Sequence, residues 1–253
     1  MGRVINLDTA AGPDNPSSIH TAGGRAARVL ENARVTVARA LNAHAAEIIF
    51  TSGGTEGNNL AIFGPAMAGQ AVAETHIITS TIEHASILEP CRELERRGYS
   101  VTYLPVNRDG LVSPAELAKA LRPDTGLVSI SYANNEIGTI QPIREIAKVI
   151  RRFRKVQHRV SHISCDTRCL TPFFHTDACQ AAGYLSLQVF ELGVDLMSIN
   201  GSKIYGPKGT GCLYVKVGTA IQPIIHGGEQ ENRQRAGTEN VSGIVGLAPA
   251  LPL

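Results

Sequence analysis

Glu47-Ile48-Ile49-Phe50-Thr51-Ser52-Gly53-Gly54-Thr55-Glu56-Gly57-Asn58-Asn59 reads as a strand, a glycine turn and the start of a helix. The apolar run is short and β-branched, and the glycines break it. A helical stretch is expected from Thr55 to about Met67. The same alternation continues outward. Strands are expected at His76 to Ser80, Ser100 to Val106, Leu127 to Tyr132, Phe173 to Thr176, Val194 to Ile199 and Gly211 to Lys216. Helices are expected at Ser86 to Arg97 and Pro142 to about Arg154. Ser113-Pro114-Ala115-Glu116 opens another helix, with Ser as N-cap, Pro first and Glu third. Strands alternating with helices at these lengths predict an α/β domain with a largely parallel sheet and helices on both faces. In such sheets ligands sit beyond the carboxyl ends of the strands. Gly53, His84, Asn135, Asp177 and Lys203 each follow a strand.

The composition excludes several functions. The chain has 253 residues, 43% hydrophobic and 18% charged, with a net charge of +2. That balance points to no nucleic-acid or membrane partner. No apolar run is long enough for a bilayer, and Met1 to Asp8 lacks a signal-peptide core. Five cysteines, an odd number, fit a reducing cytoplasm better than a disulfide framework. The basic segment Arg151 to Cys169 has no clear period and is expected to be a helix end followed by a surface loop. It lacks the aromatic ladder of a nucleic-acid site. Cys165 and Cys169, with His158, His162 and His175, do not make a convincing zinc set, and no metal site is expected.

Four features carry chemistry. Ser52 to Asn59 can cradle a phosphate, because glycines admit an anion to the free N–H groups of a helix start. A plain strand-to-helix turn has the same pattern. Asp177, just past a buried strand, must be paired or met by a ligand. His84, after Glu83, supplies an imidazole for stacking or proton transfer. Lys203 sits between a buried strand and Gly206-Pro207-Lys208-Gly209, where it can reach a cavity and be desolvated for Schiff-base chemistry. Each residue alone also suits a structural or solvated role.

Together these residues resemble a known family. Phe50 to Glu56, Glu83-His84, Ala133 to Gly138, His175 to Ala178, Lys203 to Gly209, His226-Gly227-Gly228 and Arg235 to Asn240 are similar to the motifs of the cysteine desulfurases, class V enzymes that use pyridoxal 5'-phosphate. The resemblance runs from about Asn15 to Leu247. It implies fold type I, with a mostly parallel seven-stranded sheet in a large domain at residues 1–247. Residues 248–253 would start the connection to a small domain that is largely missing. It also implies a homodimer with shared active sites. The implied activity is removal of sulfur from L-cysteine, giving L-alanine and an enzyme-bound persulfide for iron–sulfur cluster or thio-cofactor assembly on an acceptor scaffold protein. Lys203 matches the lysine that carries the cofactor, Asp177 the partner of the pyridine nitrogen, and His84 the ring-stacking acid–base histidine. Gln180 and Asn135 match residues near the phenolic oxygen and the substrate carboxylate. Gly54 and Thr55 match the phosphate turn, and Thr238 a threonine reaching the phosphate of the neighbouring subunit. Tyr205 to Gly209 would form the turn that fixes the lysine.

The departures are specific. Asn200-Gly201-Ser202-Lys203 stands where Ser-Gly-His-Lys is common, so Ser202 replaces a phosphate-binding histidine and weaker cofactor binding is expected. Asp8 to Ala11 jumps to Asn15 without the usual intervening helix, and Glu229 replaces a third glycine. The family's nucleophilic cysteine and its carboxylate-clamping arginine are expected beyond Leu253. None of Cys91, Cys165, Cys169, Cys179 and Cys212 matches that nucleophile. Two alternatives to a desulfurase stay open: another class V lyase or aminotransferase, and a non-catalytic dimerising remnant.

Overall fold

The computed structural model describes residues 15–19, 21–68, 75–160 and 172–251. Seven strands form one sheet: β1 (Ile48–Thr51), β2 (His76–Ser80), β3 (Ser100–Leu104), β4 (Thr125–Ser129), β5 (Phe173–Asp177), β6 (Leu196–Asn200) and β7 (Gly211–Val215). Their order is β1-β7-β6-β5-β4-β2-β3. β7 runs antiparallel to both β1 and β6, and every other pairing is parallel. Six strands therefore point the same way, and their carboxyl ends share one edge. This is the mostly parallel seven-stranded sheet expected from the resemblance.

Seven helices flank the sheet: α1 (Thr21–Leu41), α2 (Gly54–Ala68), α3 (Ala85–Arg96), α4 (Pro114–Ala120), α5 (Ile143–Val160), α6 (Val189–Leu192) and α7 (Val241–Leu247). Side chains alternate across each strand. Ile48, Phe50, Ile78 and Met197 face a core built with α1, α4, α5, α6 and α7. Ile49, Ile77, Leu196 and Leu213 face a second core built with α2 and α3. Ser113 caps α4 by accepting the Glu116 N–H at 3.4 Å, as expected. Among the described residues no helix is long and apolar enough to cross a membrane.

Four helices depart from the sequence reading: α5 runs past its expected end, and α6 and α7, like α1, have no counterpart among the expected helices. α1 was not expected. It buries Leu30, Ala33, Val37 and Leu41 at helical spacing, but its apolar stripe is made largely of small residues and carries Arg34. α5 passes the expected end at Arg154 and continues to Val160. The Arg154 side chain turns inward to the Pro172 carbonyl and pairs with Asp195, so a basic residue here anchors the helix. Cys165, Cys169, His162 and the segment Asp8 to Ala11 lie outside the described residues.

Candidate active site

The strand ends border a cleft with a cavity volume of about 90 Å³. It gathers most of the residues singled out in the sequence: Gly54, Thr55, His84, Asn135, Asp177, Gln180 and Lys203 all line it. Ser202 lines an adjoining pocket with Thr55, Asn200 and Lys208. Thr238 is exposed and lines neither.

Each element presents its residue for a local reason. β1 ends at Thr51, and α2 starts at Gly54 after the positive φ of Gly53, 146°. A Cβ on Gly54 would lie 2.5 Å from Cys179 Sγ, so only glycine lets the turn sit against β5's end. Glu56 reaches back to the Ser52 N–H at 2.9 Å and pairs with Arg235 at 2.8 Å. That pairing ties the loop carrying Thr238 to the first turn of α2.

Asp177 ends β5 and is buried. One oxygen accepts the Cys179 N–H at 2.9 Å and the other accepts Asn58 Nδ2 at 2.6 Å. His84 caps α3, its Nδ1 accepting the Ser86 N–H at 3.1 Å. Lys203 closes a 3-10 turn, Gly201–Lys203; it is exposed as a residue and is one of those lining the cleft. Ser202 is held locally. Its hydroxyl turns onto Asn200 Oδ1 at 3.1 Å, and the same oxygen accepts the Ser202 N–H at 3.2 Å. Gly206 N–H returns to the Gly201 carbonyl at 2.9 Å, with Tyr205 at a positive φ of 61°, so Tyr205 to Gly209 does close the turn behind the lysine.

Four site residues were missed. Asn58, Ser131 and Asn200 line the cleft, and Glu83 braces it. Glu83 is buried, accepting Ser80 Oγ at 2.6 Å and the Ser131 N–H at 3.0 Å, and so joins the ends of β2 and β4. Asn58 had a usable signal: it lies one helical turn after Gly54, on the sheet-facing side of α2.

The thiols are poor nucleophiles. Burial pushes Cys91 and Cys212 up to about 12. Burial, then the charge of Asp177, pushes Cys179 well above the usual thiol range. None of these three is a thiolate near neutral pH.

The buried sheet predicts an acid response. His175 bridges Ser129 Oγ (2.9 Å) and Ser198 Oγ (3.0 Å), and burial lowers its pKa to about 4 against the opposing charge of Asp177. His76 bridges Thr125 Oγ1 (2.9 Å) and Thr102 Oγ1 (2.8 Å), and is lowered to about 4 by burial and then by Arg122. Both rings are neutral when folded and charge in the unfolded chain below about pH 6.5, so stability falls from there to about pH 4, roughly 3 kcal/mol per ring. Glu83 acts oppositely, because burial raises it to about 7. Its contribution is fully present below about pH 4.3 and is lost as pH rises through 7, roughly 3 kcal/mol. The expected net loss from pH 7 to pH 4 is about 3 kcal/mol, rising to about 6 kcal/mol in Glu83→Gln. Urea unfolding at both pH values checks this. Equal stability at the two pH values in both proteins would show that the rings are already charged in the native sheet.

The arrangement has known counterparts. Residues 9–253 match the family model Aminotransferase class-V. The chain is 52% identical over 239 residues to Cysteine desulfurase IscS of Dictyoglomus turgidum, covering 94% of this chain and 56% of that protein. A solved NifS-like protein superposes with a TM-score of 0.85 at 39% identity, over 94% of this chain and 61% of that one. SspA, solved in complex with cysteine, superposes with a TM-score of 0.82 at 40% identity, over 93% and 63%. The chain thus spans little more than half the length of the curated relative. With this fold, this cleft and these matches, the chain belongs to the class V aminotransferase family and shares the fold type I of its cysteine desulfurase-like members.

Proposed function

We propose that this chain is the cofactor-binding part of a pyridoxal 5'-phosphate enzyme that removes sulfur from L-cysteine. The observation that carries the proposal is a buried Asp177 carboxylate, oriented by two hydrogen bonds, in the same cleft as the Lys203 amine. The cleft suits the cofactor in other respects. Asn58 Oδ1 and Ser131 Oγ are buried in its lining without a hydrogen-bond partner among the described residues. The start of α2 at Gly54 and Thr55 offers free N–H groups and a hydroxyl for a phosphate.

Bound there, pyridoxal phosphate would supply an electron sink for bond cleavage in the amino acid. The chain's own residues divide the remaining work. Asp177 holds a positive charge at the ring nitrogen. Lys203 presents an amine to the cofactor carbonyl and to the substrate α-proton. His84 would lie against the ring, with Nε2 free to move a proton, since Nδ1 is occupied. Gln180 and Asn135 orient the phenolic oxygen and the substrate carboxylate. Thr55, Asn200 and Ser202 face the phosphate end. Thr238, which does not line its own cleft, would serve the cleft of a second subunit in a homodimer. SspA's complex with cysteine supports L-cysteine as the substrate. The motif resemblance to the cysteine desulfurases supports a cytoplasmic enzyme delivering sulfur to a scaffold for iron–sulfur assembly.

The sulfur acceptor must be a thiolate; Cys91, Cys179 and Cys212 are buried thiols, and Cys165 and Cys169, outside the described residues, do not match the family's nucleophile in sequence. The expected result is therefore that the 253-residue chain binds the cofactor, seen as a shifted absorbance band, but releases little alanine from L-cysteine with a reductant. Failure to bind pyridoxal phosphate would overturn the proposal. Robust sulfide release that survives Cys179→Ser would point to a lyase that eliminates sulfur directly.

A further inference from the structure

We infer that Asn58 is a positioning residue that aims the Asp177 carboxylate and, through Ser86, joins it to the His84 ring in one directed hydrogen-bond chain. The direction is set at both ends. A backbone N–H can only donate, so the Ser86 N–H at 3.1 Å requires a lone pair on His84 Nδ1, and the ring proton sits on Nε2. Ser86 Oγ, 2.8 Å from the same Nδ1, must then donate to it. That leaves Ser86 Oγ to accept, and its donor is Asn58 Nδ2 at 2.8 Å. The second hydrogen of Asn58 Nδ2 goes to Asp177 Oδ2 at 2.6 Å.

The amide cannot be turned over. A flip would set Asn58 Oδ1 against the Asp177 carboxylate and remove the donor that Ser86 Oγ needs. The chosen orientation has a cost that is visible in the structure. Asn58 is 1% exposed, and its Oδ1 has no partner among the described residues. A buried amide that leaves its acceptor unmet in order to use both donors is held for what it donates to. Its place is equally constrained. A Cβ on the preceding Gly57 would lie 3.2 Å from Ser198 Oγ, so α2 lies directly on β6 and carries Asn58 in under Asp177.

The catalytic use of this chain of bonds rests on the proposed function, whereas its direction is a property of the cofactor-free protein. Two measurements separate them. In the cofactor-free chain, 15N spectra of His84 should show an unprotonated Nδ1; a protonated Nδ1 would overturn the directed chain whether or not any cofactor binds. In the second, Asn58→Leu is titrated with pyridoxal phosphate and with its 1-deaza analogue, which has carbon in place of the ring nitrogen. Asn58→Ala serves if the leucine variant does not fold. Losing a hydrogen bond to a charged group should weaken pyridoxal phosphate binding about tenfold or more. The analogue, which gives Asp177 nothing to hold, should lose less than about twofold. Equal losses for both ligands would show that Asn58 only supports the helix, and would overturn the inference. If the unaltered chain binds neither ligand, the functional reading fails, and the His84 spectrum alone decides the bonding chain.

Discussion

Treating the chain with pyridoxal phosphate and then borohydride should fix the cofactor on Lys203 and on no other lysine. Replacing that lysine with alanine should reduce deprotonation of bound amino acid by about 10²–10⁴-fold or more, the usual scale for a positioned acid–base group. The competing amine is Lys208. It lines the pocket that also holds Ser202 and Thr55, so it can approach the phosphate end. What separates the two is backbone geometry. Lys203 ends a 3-10 turn that Asn200 caps and that the Gly206 N–H closes from below, and its side chain enters the lining of the cleft that contains Asp177. Lys208 lies beyond Pro207 on the outer part of the turn and does not line that cleft. Label on Lys208 in a peptide map would overturn the assignment. Label on Lys203 together with normal deprotonation in Lys203→Ala would retain the cofactor site but remove the lysine from the proton transfer.

The sheet was legible because its strands are short apolar runs ended by glycine or small polar residues, and because strand ends are where α/β ligands sit. Of the residues found by that rule, His84, Asn135, Asp177 and Lys203 are brought to one cleft by the structure. The rule fails where a polar residue looks inward from a helix or from a loop. Asn58 is a polar letter in a helix whose period says only that one face is buried, Glu83 lies in the loop between β2 and α3, and the partners that give them meaning are far along the chain. Asn58 meets Asp177 across 119 positions, and Glu83 meets Ser131 across 48. Burial of the strand before Lys203 says nothing about what covers the turn after it, where Lys203 is exposed while lining the cleft. α1 was hidden by its alanines and by Arg34, whose burial depends on a carboxylate 197 positions away.

That carboxylate carries the second large prediction: Glu231→Ala should cost about 3–5 kcal/mol of stability. Glu231 is buried on a loop between β7 and α7, at a positive φ of 46°. Its two oxygens take Arg34 Nη2 at 2.7 Å and Arg34 Nη1 at 2.8 Å, and one also takes the Phe50 N–H at 2.8 Å. Arg34 in turn donates to the Ile48 carbonyl at 2.6 Å and lies over the Phe50 ring at 4.7 Å. Deleting the carboxylate leaves the buried guanidinium with only the exposed Glu31, 3.3 Å from Nε, as a counter-charge, and leaves a strand N–H without an acceptor. Glu231→Gln keeps the shape and some of the bonds, so it should lose less. Replacing both partners with apolar residues, Arg34→Met with Glu231→Leu, should recover most of the loss, because no orphaned charge remains. Urea unfolding of the three proteins tests this order, and a loss under about 1 kcal/mol in Glu231→Ala would contradict it. The consequence extends beyond folding. Glu231 pins the loop that continues to Arg235 and Thr238, and Arg235 grips Glu56 in the first turn of α2. A chain that folds with Glu231→Ala should therefore also bind pyridoxal phosphate more weakly, because the turn that presents Gly54 and Thr55 to a phosphate loses its outer support.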